Sequence, residues 1–365
     1  KTYYPTTTRL NIPRVDYLNN ANGSLLLEPQ RTNLFKYSND FANAIWVKTS
    51  TTITSDEIAS PIYGEMADSI LATATTAQHR VLQTPVTNGV GAFTMYIKQK
   101  ELSRIVIHLL GVNKGRGFDC SDNTTFAAIG VAADAAYYNI SDFGNGWSKI
   151  EVYDGSGATT RVDVYLASPV VGANNSVWTG DGTSKMYISA AQFEQGTYAT
   201  SYIPTSGTTV TRLADTSATT GLSDVIGQTE GTLFFDAYFK DSDSNNISIS
   251  DSSSSNYIGI DTSSGNAVFA RVQSGGVTQS TINTSTSYFT DGDRLKCAIA
   301  YKENDFAFYI NGTQVGVDTS GSVPNVSDLK FARYNGAIAA NQEVNAVALY
   351  KTRLTNTELA TLTTI

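Results

Sequence analysis

At 365 residues the chain is long enough for two domains of roughly 100–200 residues each, and 41% hydrophobic residues with 10% aromatics exclude a disordered chain. Charged residues are only 16% and the net charge is −8, with no Lys/Arg cluster interleaved with aromatics, which argues against nucleic-acid binding. No apolar run approaches the ~20 residues of a membrane span, so no membrane insertion is expected, and two cysteines, Cys120 and Cys297, are too few for a disulfide framework.

The chain opens at Lys1 rather than Met, with no visible signal peptide. This fits a fragment or a processed product, and leaves export by a cleaved signal open. Residues 1–24 contain "YYPTTTRLNIPRVDY", with two prolines and little period-2 alternation, and read as an extended arm that needs a neighbour to pack on. "LLLEPQRTNLFKYSNDFANAIW" (25–46) then begins as a buried strand. Pro29 halts any ladder by removing a backbone donor, and Phe41 and Trp46 close the stretch with two large aromatic anchors.

Beyond Trp46, period-2 patterns dominate the chain. "AFTMYIKQ", "SRIVIHLLG", "WSKIEVYDG", "TRVDVYLAS" and "KMYISAAQFE" read as strands, and Pro204 ends the last strand of a first module. The stretch "SGTTVTRLADTSATTG" (206–221) is poor in apolar residues and reads as the boundary, with "GLSDVIGQ" after it as a short helical turn. "GTLFFDAYFK" places Leu233, Phe235, Ala237 and Phe239 on one face, and "DSDSNNISISDSSSSN" (241–256) offers an edge strand at "NISIS". In "DRLKCAIAY", Cys297 shares a face with Leu295, Ile299 and Tyr301, as a core thiol would. Asp291-Gly292 marks a tight turn. Asn311-Gly312, between alternating runs, marks a type I′ hairpin, which needs positive φ at both positions. "LTNTELATL" reads as a terminal helix capped by Thr355 or Asn356. The fold class is all-β: two tandem β-sandwich (jelly-roll) domains, 25–212 and 213–365, preceded by the arm.

Paired carboxylates at the spacing of a retaining glycosidase strand are absent, and Glu65/Asp68 and Glu101/Arg104 fit no such pattern. Tyr238–Lys240 matches three letters of a lyase strand whose companion strands are missing. Of the two histidines, His108 reads as a strand residue and His79 as a more exposed one without a partner. The expectation is a protein that is not an enzyme. No cofactor is required, although a structural calcium could be held by loop aspartates such as Asp119, Asp122, Asp181, Asp291 and Asp293. Sugar binding needs aromatic platforms beside amides and carboxylates. Trp178, with Asn174, Asn175 and Asp181, is the first candidate; Tyr137, Tyr138 and Tyr334 stand in similar polar settings.

An ordered series of motifs carries a resemblance. Arg31-Thr32-Asn33-Leu34, Asn39-Asp40-Phe41, Trp46, Gly146-Trp147, Gly180-Asp181-Gly182-Thr183, Gln192-Phe193-Glu194, "ATSYIPT" (199–205) and "TRLAD" (211–215) succeed one another along the first module. This series resembles carbohydrate-binding-module-like β-sandwiches of tailed-phage virion proteins. The second module is similar to their concanavalin A-like or laminin G-like jelly rolls, through "EGTLFFDAYF", "DRLKCAIAYKENDFAFYINGTQVG" and "ALYKTRLTNTELATL". The resemblance implies a fibre, spike or decoration subunit at the virion surface. Its partners would be host cell-surface glycans and other virion proteins, and it would be a homo-oligomer with a trimer favoured. The alternative is a secreted bacterial polysaccharide-binding or polysaccharide-degrading protein. The structural anchors expected are Arg31, Phe41, Trp46, Trp147 and Pro204, with Arg31 tied to Glu28, Glu194 or strand carbonyls.

Overall fold

The computed structural model describes residues 13–17, 20–85, 89–127, 133–155, 157–170, 177–240, 246–263, 265–332 and 341–365. Nearly all regular structure is β, with one helix, Asn356–Thr363, among the described residues. The chain divides into two compact units, one of residues 31–212 and one of residues 13–30 with 213–365. Each is a β-sandwich.

In the first unit one sheet runs in the order Thr124–Phe126, Lys114–Asp119, Arg104–Leu110, Arg161–Leu166, His79–Gln83, Val47–Thr49. The other runs Tyr137–Gly144, Trp147–Tyr153, Gly91–Lys98, Lys185–Gln195, Met66–Ala72, Thr51–Ala59. Alternation turns Ile105, Ile107, Val162 and Val164 of the first sheet toward Phe93, Met95, Ile150 and Val152 of the second. Phe35, Phe41 and Trp46 plug this core. Trp46 is 0% exposed and its ring centroid lies 4.9 Å from both Phe rings.

The polar residues around the plug hold the lead-in down. Asn33 Oδ1 accepts from the backbone of Phe35 (3.1 Å) and Phe193 (3.2 Å). A bulge interrupts the Lys185–Gln195 strand between Ser189 and Gln192, where Ala190 takes φ 51°. Asn39 Oδ1 accepts from the Ala190 amide at 2.8 Å there. Arg31 lays its guanidinium over the Tyr198 ring at 4.8 Å. Trp147 is buried, but on the outer face of its sheet, in a separate cluster with Tyr96, Tyr187 and Tyr202. Pro204 stands beyond the closing strand, which ends at Gln195, and the residue before it, Ile203, donates from its amide to Gln192 Oε1 at 2.6 Å.

In the second unit one sheet runs Val15–Asp16, Ser24–Leu27, Gln342–Tyr350, Glu230–Phe239, Arg294–Lys302, Asp305–Ile310, Thr313–Asp318. The facing sheet runs Ala218–Thr219, Asp328–Lys330, Asn246–Ser250, Tyr257–Ser263, Ala267–Ser274, Val277–Asn283. Leu233, Phe235, Phe239, Ile249, Ile258, Cys297, Ile299 and Phe308 form its core. Burial pushes the Cys297 thiol well above the ordinary range, and burial takes Cys120 up to about 12. The Asn311-Gly312 hairpin forms as expected, with φ 49° and 80° and Ile310 opposite Thr313. The terminal helix carries a full capping box, Thr355 with Glu358. Its Leu359 packs on Phe234, Ala298 and Ala300 of the sheet's outer face.

Three sequence expectations are corrected. Residues 25–30 do not open the first sandwich: Leu25, Leu26 and Leu27 pair with Val344, Glu343 and Gln342 of the second. The described part of the supposed arm is likewise strand, since Val15–Asp16 pairs with Ser24 and Leu25; residues 1–12 lie outside the described residues. The physical cause is an ion cluster. Arg14 donates to Glu28 at 2.7 Å and also pairs with Asp215, while Glu28 N donates to Asp215 Oδ2 at 2.8 Å. The second sandwich therefore starts before the first and resumes after it. Arg31 and Arg212 are ladder partners, so the chain enters and leaves the first sandwich side by side. Lastly, "NISIS" is no edge: Asn246–Ser250 lies between two strands and is buried throughout.

Candidate functional site

The sequence-derived sugar residues do not assemble into one site. Trp178 is half-buried, its Nε1 donates to Leu166 O at 2.9 Å, and its ring meets His79 edge-on at 4.8 Å. His79, expected to be exposed, is 0% exposed, with Nδ1 at 2.6 Å from Ser50 O and Nε2 at 3.1 Å from Trp178 O. This is a docked indole. Trp178→Ala is accordingly expected to lower the stability of the first sandwich by roughly 2–3 kcal/mol, somewhat below the cost of a fully buried aromatic. A urea midpoint unchanged from the parent would return Trp178 to the surface. Asp181 is exposed and folds back on its own turn, accepting from Ser184 Oγ (2.6 Å), Ser184 N (2.7 Å) and Thr183 N (2.8 Å). These bonds, that of the Ser184 hydroxyl first, hold its carboxyl well below the usual range. Asn174, Asn175 and Tyr334 lie outside the described residues. Tyr138 packs inward under Arg116, 4.1 Å from ring to guanidinium. Tyr137 is 50% exposed, and burial and then Glu151 raise its phenol.

The loop aspartates do not converge on an ion. Asp119 and Asp122 accept from Ser121 and Thr124 of their own turns, and Asp293 accepts from Thr290 N. Among the described residues no group of three His, Cys, Asp or Glu is placed to hold a metal.

A different site is built on the outer face of the seven-stranded sheet of the second sandwich. Alternation in "FFDAYF" sends Phe235, Ala237 and Phe239 into the core and Asp236 and Tyr238 outward. The ladder sets Tyr238 opposite Arg294 and Asp236 opposite Lys296. On the other side, the Gln342–Tyr350 strand is bulged: Asp236 pairs with Ala346 and Ala237 with Val344, so Asn345 is the extra residue. A bulge re-aims a side chain, and this one aims Asn345 at Asp236. The turn Asn20–Gly23 stands alongside, closed by Gly23 N to Asn20 O at 2.9 Å, with Gly23 at φ 85°.

These groups line a half-open cleft of about 280 Å³, formed by Asn20, Asn22, Asp236, Tyr238, Arg294 and Asn345 with Ala346. That is close to the lower end of the ~300–1,000 Å³ typical of small-molecule sites. Asp236 is 4% exposed. Arg294 grips it with Nε (2.9 Å) and Nη2 (2.6 Å), and Asn345 Nδ2 adds a third bond at 3.0 Å. The bond to Asp236 raises the Arg294 pKa further. Asn345 Oδ1 in turn accepts from Ser24 Oγ at 2.7 Å and Asn20 Nδ2 at 3.1 Å. The floor is thus a connected chain, Arg294–Asp236–Asn345–Asn20, fixed before any ligand arrives. With Asp236 held by three donors and Glu343 paired with Lys240, the arrangement suits recognition of hydroxyls rather than proton transfer.

No protein-family model matches the sequence, and no curated protein does. Among solved structures, the CBM40 of the Ruminococcus gnavus IT-sialidase is similar at 12% identity over 40% of this chain and 92% of its own, with a TM-score of 0.33. A heptameric SAP-like pentraxin from Limulus polyphemus is similar at 13% identity over 38% and 70%, with a TM-score of 0.30. Sheep galectin-11 is similar at 10% identity over 38% and 98%, with a TM-score of 0.27. At such scores none of them carries an argument for the site, and the all-β architecture is read from the strands of this chain.

Proposed function

We propose that the protein is a non-enzymatic adhesin of a tailed-phage virion, a fibre, spike or decoration subunit, and that the cleft of its second sandwich holds a host-surface glycan. The observation that carries the binding reading is the pre-fixed polar floor Arg294–Asp236–Asn345 in a cleft that Tyr238 also lines. Such a floor meets hydroxyl groups, which donate and accept, without reorganising. The ordered motifs of the first module support the virion setting, at the extracellular surface of the particle and beside other virion proteins. Affinity per site is expected to be weak, on the order of 0.1–1 mM. Repetition of the cleft in a homo-oligomer, a trimer by the same resemblance, raises avidity without new contacts.

Attachment of the fluorescently labelled full chain to intact bacterial envelopes, scored across a strain panel, tests this. Asn22 is an exposed turn residue at the cleft mouth, and Asn22→Trp is expected to reduce attachment by about tenfold or more while leaving the urea transition in place. Attachment unaltered by Asn22→Trp overturns the site. Reducing ends or unsaturated sugars accumulating from envelope polysaccharide would favour the secreted polysaccharide-degrading alternative.

A further inference from the structure

A second polar cluster lies in the first sandwich, on the sheet that holds Arg104–Leu110, Arg161–Leu166 and His79–Gln83. Ile107, Leu109, Val162, Val164 and Val81 of that sheet point into the core, so alternation turns His108, Arg161, Asp163, Tyr165 and Arg80 to the outer face. The ladder sets His108 opposite Asp163 and Tyr165 opposite Arg80. Asp163 is 0% exposed and is held by two arginines. Arg161 grips it with Nε to Oδ1 (2.7 Å) and Nη2 to Oδ2 (2.9 Å). Arg80 Nη1 reaches the same Oδ2 at 3.0 Å and donates to the Tyr165 hydroxyl at 2.7 Å, while that hydroxyl donates to Oδ2 at 3.0 Å. The Arg80 guanidinium also stands over the Tyr165 ring, 5.4 Å from its centroid. Two guanidiniums are thereby fixed side by side on one oxygen.

We propose that this cluster is an oxyanion site, at which Arg80 and Arg161 take the carboxylate or phosphate group of an acidic sugar. One arginine neutralises a carboxylate, so the second leaves a positive charge in excess, in a chain whose net charge is −8. Adjacent guanidiniums repel, and a second anion offsets the repulsion that Asp163 alone only half balances. The neighbouring charges do not compete for that role: Arg104 pairs with Asp119 at 3.6 Å, its ladder partner. Burial lowers the His108 pKa, so at neutral pH the excess charge is that of the guanidiniums. The donors are in place as well. Among the described residues Arg80 Nη2 and Arg161 Nη1 carry no hydrogen bond, and Arg80 Nε is buried without an acceptor. Such unfilled edges of a planar fork suit an oxyanion, which accepts two parallel N–H bonds. The exposed Asn113, whose Oδ1 lies 2.9 Å from His108 Nε2, adds an amide for a sugar hydroxyl. The cluster belongs to the other sandwich and stands or falls independently of the cleft.

Titration of the arginine Nε–H resonances of the full chain by nitrogen-15 NMR tests the site. The probes are glucuronate, glucose 6-phosphate, inorganic phosphate and, as the neutral control, glucose. Glucuronate and glucose 6-phosphate are expected to shift the Arg80 and Arg161 signals saturably, with Kd on the order of 1 mM, and glucose to leave them in place. Glucose 6-phosphate should bind about threefold or more tighter than inorganic phosphate, and added salt should weaken both. Arg161→Gln leaves Asp163 paired with Arg80 and Tyr165, and should raise the Kd for glucose 6-phosphate by about tenfold or more. Asn113→Asp, on an exposed turn, should weaken binding in the same direction, and urea curves show whether each variant is folded. Signals unmoved by either acidic sugar, shifts that glucose reproduces, or a Kd unchanged in a folded Arg161→Gln protein overturn the site. Should Arg161→Gln not fold, a Kd unchanged by Asn113→Asp does so. Inorganic phosphate binding as tightly as glucose 6-phosphate overturns the sugar as its carrier.

Discussion

Replacing Trp46 with alanine is expected to destabilise the first sandwich by about 3–5 kcal/mol, the range for an aromatic removed from a close-packed core. The indole is fully buried between Phe35 and Phe41 and contacts both at 4.9 Å between centroids. Its Nε1 also donates to Tyr37 O at 2.9 Å, so truncation leaves that carbonyl to find another donor in a site that had excluded water. Tyr37 itself sits at φ 55°, a conformation that its surroundings must impose. Urea unfolding of the isolated 31–212 unit measures the loss directly. A change below about 1 kcal/mol would mean that the site collapses around the gap or that the plug lies outside the cooperative core.

The largest expected effect concerns the second sandwich. A fragment of residues 216–365 is expected not to unfold cooperatively, although a reading of the sequence alone would cut the chain there. It lacks the strands Val15–Asp16 and Ser24–Leu27, which leaves the Gln342–Tyr350 strand as a bare edge. It also lacks Leu27, which is 3% exposed in the core, and every member of the Arg14–Glu28–Asp215 cluster. Splicing 13–30 directly to 213–365 through a short glycine-rich turn should restore a cooperative transition. The geometry allows the splice because Asp215 N donates to Glu28 O at 2.9 Å, and Arg31 and Arg212 face each other in a ladder. The fragment 31–212 should fold alone. Circular dichroism and urea titration of the three fragments decide the matter: a cooperative transition in 216–365 matching that of the spliced chain would show that the N-terminal strands are dispensable.

Much of this architecture was legible because it rests on period 2 and on turn chemistry. "GTLFFDAYFK" declared which face was core, and Asn311-Gly312 declared a two-residue hairpin, since both signals are local. What the sequence hid was non-local. The three leucines at 25–27 look the same whichever sheet they join, and only pairing with Gln342–Val344 settles it. The cleft was hidden for a related reason. Asp236, Tyr238 and Arg294 sit at outward positions, where polar residues are ordinary, and the extra residue that turns Asn345 toward Asp236 leaves no mark on the pattern. Trp178 misled in the opposite sense: a tryptophan among Asn and Gly reads as a platform, yet its indole docks on Leu166 O and His79.

The split second sandwich has a consequence for synthesis. Leu25–Leu27 leaves the ribosome roughly three hundred residues ahead of its partner Gln342–Val344. At about 5–20 residues per second the wait is on the order of 15–60 s. Through that interval the leucine run has an open edge where Gln342–Val344 will pair, tethered to a first sandwich that is complete and free to fold. Nascent chains arrested before residue 340 should therefore hold a folded first sandwich together with a chaperone-accessible leucine segment, and release of the chaperone should mark the moment the Gln342–Tyr350 strand emerges.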